Sequence, residues 1–87
     1  MISRTVTVAS AVGLHARPAA IFAEAAEATG VDFTLTLDGE EADAASVLDV
    51  MSLGAENGDE VVLATDDDSA TEALEKLAAL IATDLDA

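Results

Sequence analysis

The sequence predicts an α+β fold: a mostly antiparallel four-stranded sheet with three helices on one face, in the order β-α-β-β-α-β-α. Three observations carry this. Segments 2–8 and 31–37 alternate apolar and polar residues with the period of a strand. Segments 16–28 and 70–83 place apolar residues at helical spacing. Between two strand-like runs stands Asp38-Gly39, a strong short-range hairpin signal.

Each element has its own warrant. In the first strand Ile2, Arg4, Val6 and Val8 share one face, and Ser3, Thr5 and Thr7 the other. Ser10 to Gly13 reads as a loop. The first helix has an apolar stripe of Ala19, Ala20, Phe22, Ala23 and Ala26, and Gly30 stops it. The second strand covers 31–37 and its hairpin partner 40–44. Ser46-Val47-Leu48-Asp49 fits a capping box, opening a helix that Gly54 keeps short. Asn57-Gly58 turns the chain into a strand over 60–65. Ser69 or Asp68 is expected to cap the last helix, whose stripe is Leu74, Leu77, Ala78 and Ile81. No repeat or linker interrupts the 87 residues, so residues 1–87 are expected to form a single domain.

Composition narrows the function. Of the 52% hydrophobic residues, 20 are Ala, and Phe22 and Phe33 are the only aromatics. The core is therefore small and aliphatic. Eighteen Asp and Glu face three basic residues, Arg4, Arg17 and Lys76, for a net charge of -15. A nucleic-acid binder needs cations to neutralise phosphates, and an anionic membrane would repel this chain. So much acid, with a single Lys, suits a cytoplasm at very high salt, where self-repulsion is screened. There is no Cys and one His, so no disulfide and no structural zinc are expected. Asp66-Asp67-Asp68 and the tail residues Asp84 and Asp86 lack the ligand spacing of a calcium loop and read as solvated charge. No metal, cofactor or independent catalytic machinery is expected. No apolar run approaches the ~20 residues of a membrane span, and no signal-peptide core is visible. The expected location is the cytoplasm.

One segment carries chemistry, Gly13-Leu14-His15-Ala16-Arg17-Pro18. A Pro in the first turn of a helix costs little, because the first N–H groups have no internal partner. His15 then stands at or beside the N-cap, with the N–H groups of Ala16 and Arg17 free to hold an anion. Arg17 adds a planar, charged fork suited to phosphate oxygens. A neutral imidazole offers a nucleophilic nitrogen near neutral pH. Gly13 is expected to let a partner's active site approach closely.

At this point the chain resembles a known family. GLHARP is the signature of HPr, the histidine phosphocarrier of the phosphoenolpyruvate-dependent sugar phosphotransferase system. Ser46 to Gly54 is similar to the family's second signature, and Gly58-Asp59-Glu60 before the last strand fits as well. The resemblance implies an open-faced β-sandwich. It implies that His15 accepts a phosphoryl group on Nδ1 from phospho-enzyme I and passes it to the IIA domain of a sugar-specific enzyme II. Arg17 and the Ala16 and Arg17 N–H groups would hold the phosphate. Ala20, Val47, Leu48 and Met51 match the family's apolar docking patch. Ser46 matches a serine that is regulatory in some members, although Ala45 stands where a Lys is common; on its own residues Ser46 reads as a helix N-cap.

Other departures concern partners. Glu24, Glu27 and Asp49 stand where many relatives carry basic residues, and Val12 where a small polar residue is common. Docking through the apolar patch at high salt is the expectation, by a monomer that meets its partners in turn. Two further readings stay open: an HPr-like regulatory binding module, and a carrier in a nitrogen-type or dihydroxyacetone phosphotransfer chain.

Overall fold

A computed structural model describes residues 1–85; Asp86 and Ala87, and with them part of the acidic tail, lie outside the described residues. The element order is β1 (Ile2–Thr7), α1 (Ala16–Ala28), β2 (Thr34–Leu37), β3 (Glu40–Asp43), α2 (Val47–Ser52), β4 (Glu60–Thr65) and α3 (Thr71–Ile81). The strands form one antiparallel sheet in the order β1-β4-β2-β3. The expected β-α-β-β-α-β-α architecture is therefore the observed one.

Register follows the apolar faces. Val6 pairs with Val61, and Leu63 stands between Arg4 and Leu35. Val6, Val61, Leu63 and Leu35 are buried beneath the helices, because a period of two sends alternate side chains to one face. Into them pack Phe22, Ala19 and Ala26 of α1, Val50 of α2, and Leu74, Leu77, Ala78 and Ile81 of α3. The stripe expected for α3 is the buried set. On α1, Pro18 is buried as well, and Ala20 only half-buried. The opposite sheet face presents Ser3, Thr5, Thr34, Thr36 and Val62. Arg4 sits at the rim of the covered face, where its Nε donates to Glu75 Oε2 of α3 at 3.2 Å.

The hairpin has the turn its sequence demands. Leu37 pairs with Glu40, and Asp38 and Gly39 have φ of 51° and 85°. Positive φ at both central residues is the primed turn whose twist matches the strands.

Three local expectations need correction. The second strand begins at Thr34, not Val31. Thr29 Oγ1, which accepts from the Val31 N–H at 3.1 Å, draws the preceding residues into the exit from α1. The capping box of α2 is half-formed. Ser46 Oγ accepts from the Asp49 N–H at 3.2 Å, but the Asp49 carboxylate accepts from the Asp43 N–H, and the Ser46 N–H turns to the Asp43 carbonyl. Helix α3 has Ala70 at its N-cap, without a side-chain cap. Asp67 instead closes the turn before it, with Oδ1 accepting from the Ser69 hydroxyl and N–H at 2.6 and 2.9 Å. The Ser69 hydroxyl, then its N–H, hold the Asp67 carboxyl below its ordinary range.

Candidate functional site

The site stands where β1 hands the chain to α1. The loop between them is tied down on both sides. The Ala9 N–H donates to the Ile81 carbonyl at 3.1 Å, and Ser10 Oγ accepts from the Leu85 N–H at 3.2 Å. Asn57 Nδ2 donates to the carbonyls of Ala9 and Ser10 at 3.1 and 3.3 Å. The Leu14 N–H donates to the Ala55 carbonyl at 2.9 Å, and the Leu14 side chain is fully buried. Four residues later Pro18 is buried in turn. With Leu14 and Pro18 anchored inward, His15, Ala16 and Arg17 are turned out to solvent.

His15 is the N-cap of α1, with extended backbone (φ -119°, ψ 157°) and no side-chain cap hydrogen bond. The imidazole is thus not spent on its own helix. Ala16 follows with φ of 46°, a left-handed value costly for a residue bearing a Cβ. The chain makes its sharp entry into the helix there. Pro18 has no N–H, which concentrates the unpaired donors of the first turn on Ala16 and Arg17. Arg17 is exposed, and among the described residues it has no ion-pair partner; Arg4, by contrast, is engaged by Glu75.

His15 opens on a shallow hollow of about 410 Å³ lined by Ala11, Val12, Gly54, Glu56 and Asn57. Arg17 does not line it. Gly13 has a different role from the one expected. It is buried, with φ of 74°, against the backbone of Ala55 and Glu56 of its own chain rather than open to a partner.

Next to this stretch lies α2. Leu48 is 77% exposed, while Val47 and Met51 are half-buried against the core and Val50 is fully buried. A six-residue helix has room for one inward face, so Leu48 is left outside. Helix α1 packs on α2, which puts half-buried Ala20 on the neighbouring element. Ser46 stands at the start of α2 as its cap. Sequence reasoning missed Glu56 and the clamp made by Asn57. Only the Asn57-Gly58 turn was legible, and nothing in it signals a partner 48 residues away.

The family model for the phosphorylation site of the HPr component of the phosphotransferase system matches residues 2–83. The chain belongs to the HPr family. The phosphocarrier protein HPr of Streptomyces coelicolor is 53% identical over 87 residues, covering 99% of this chain and 94% of that one. The HPr-like protein Crh of Bacillus subtilis is 41% identical over 81 residues, covering 93% and 95%. Among solved structures, HPr of Bacillus anthracis superposes with a TM-score of 0.86 at 36% identity, covering 92% of this chain and 95% of that one. A Crh crystal structure from Bacillus subtilis, a swapped-domain dimer, gives 0.73 at 41% identity, covering 93% of each chain. The open sheet covered by three helices is the HPr fold. No helix among the described residues is long and apolar enough to cross a membrane.

Proposed function

We propose that this HPr-family chain is a phosphocarrier whose His15 takes a phosphoryl group from phospho-enzyme I, charged by phosphoenolpyruvate, and gives it to a IIA domain of a sugar enzyme II. The observation that carries this is His15 itself, exposed at the start of α1 with its ring unbonded to the helix it caps. The neutral ring attacks phosphorus through Nδ1. A P–N bond forms as the donor's bond to phosphorus breaks, and the same exchange runs forward onto the acceptor. Ala16 and Arg17 supply N–H donors and the helix N-terminus a positive dipole for the phosphoryl oxygens. The Arg17 guanidinium, free of ion pairs among the described residues, closes on the phosphate when it arrives.

Docking rests on Leu48, with Val47, Met51 and Ala20 around it. Flexible aliphatic and Met side chains suit a surface read by two different partners. The acidic residues Glu24, Glu27 and Asp49 make this docking work best at high salt, where repulsion from acidic partners is screened; the carrier is read as a cytoplasmic monomer that meets its partners in turn.

The test is incubation of the protein with phosphoenolpyruvate and its host's enzyme I in molar KCl, read by intact mass. One acid-labile phosphoryl group is expected on the wild type and none on His15→Ala. No gain with active enzyme I would make the chain a regulatory binding module that keeps the motif without the chemistry.

A further inference from the structure

Among the described residues, the hollow beside His15 is lined by one other ionisable residue, Glu56. The rest of its lining, Ala11, Val12, Gly54 and Asn57, is uncharged. We propose that Glu56 sets, at low ionic strength, how readily His15 gives up a phosphoryl group, by placing a carboxylate against the charge of the phosphorylated ring. This deepens the carrier reading and rests on it for its biological meaning.

Glu56 is held in place by its backbone. Its N–H donates to Asp59 Oδ2 at 2.9 Å, and its carbonyl accepts from the Asp59 N–H at 3.0 Å. On one side Ala55 accepts from Leu14, next to His15. On the other, Asn57 is fastened to Ala9 and Ser10. The Glu56 Cα lies so close to Gly13 that a Cβ on that glycine would approach it to 2.9 Å. The 54–58 segment is therefore tied by hydrogen bonds to the loop that bears His15. The Glu56 side chain is exposed and has no hydrogen bond or ion pair among the described residues. Its charge is not neutralised by a neighbour.

A phosphoryl group brings close to two negative charges onto the ring. Repulsion from a carboxylate in the same hollow raises the free energy of the phosphorylated state relative to the free one. It also eases departure, since the transferring phosphoryl group takes its charge away from the carboxylate. Arg17 acts in the opposite sense. The two side chains, Arg17 on α1 and Glu56 in the 54–58 segment, act on one bond with opposite charge. Like other exposed charge effects, this one shrinks as salt rises.

Hydrolysis isolates the property. A water oxygen bonds to phosphorus as the P–N bond breaks. The electron pair stays on the ring nitrogen, which takes one proton of the water, and the other stays on the released phosphate. Wild type, Glu56→Gln and Glu56→Lys are charged chemically with phosphoramidate, and loss of the phosphoryl group is followed by intact mass in dilute buffer and in molar KCl. Glu56→Gln is expected to hold the group about two- to fivefold longer in dilute buffer and Glu56→Lys longer still, with the differences collapsing in KCl. Equal lifetimes in dilute buffer would overturn the proposal, and so would differences that KCl leaves unchanged, since those are structural. Protein that phosphoramidate charges but enzyme I does not would remove the carrier reading and leave the lifetimes to decide the role of Glu56.

Discussion

Gly13 lies so close to Ala55 that a Cβ on it would stand 2.3 Å from the Ala55 carbonyl oxygen. That oxygen also accepts from the Leu14 N–H, so the loop bearing His15 is docked by backbone against backbone. Neither side can yield as a flexible side chain would. The position also has φ of 74°, which favours glycine independently of the crowding.

Gly13→Ala is therefore expected to destabilise the fold by about 2 kcal/mol or more, from strain and overlap together. Urea unfolding measures it. A midpoint equal to wild type would show that the 55–56 backbone moves freely away.

Ala16 poses the reverse case. Its φ of 46° carries the penalty of a Cβ in the left-handed region. Ala16→Gly removes the penalty, worth about 1–2 kcal/mol, and returns part of it as unfolded-chain entropy, about 0.4–1 kcal/mol. A net gain of about 0.5–1 kcal/mol in urea is expected. A loss of stability would mean that the helix entry is relaxed.

Ser46 caps α2 through the Asp49 N–H. Ser46→Ala should lower stability by about 1 kcal/mol and leave phosphorylation of His15 by enzyme I at the wild-type rate. A rate change without a stability change would assign Ser46 to partner recognition instead.

Leu48 contributes little to the fold, at 77% exposure. Leu48→Ala should change stability by no more than about 0.5 kcal/mol, while weakening binding to enzyme I about tenfold as an exposed anchor of a docking patch. Calorimetric titration at increasing KCl adds the electrostatic half. Affinity should hold or rise toward molar salt as the Debye length falls to ~3 Å. Affinity that drops with added salt would mean that docking depends on attraction between opposite charges.

Most of the architecture was legible because it is written in short-range pattern. The α1 limits, the β4 limits, the α3 stripe and the Asp38-Gly39 turn follow from periodicity and from residues with special backbone preferences. The boundaries that moved did so through individual hydrogen bonds. Thr29 claimed the residues before β2, and Asp43 drew both the Ser46 N–H and the Asp49 carboxylate out of a reciprocal cap. Competing polar partners of similar strength leave no periodic trace.

The candidate site divides the same way. By itself, the sequence determined that one histidine begins a helix beside an arginine and a proline, because helix starts and phosphate-binding side chains have local signatures. Only the tertiary structure decided that Gly13 is spent on Ala55, that Asn57 clamps the loop, that Leu48 is the apolar residue of its helix left exposed, and that Glu56 shares the hollow with His15. Those relationships join residues about 40 positions apart, and they exist only once the sheet has brought the 55–58 turn against the end of β1.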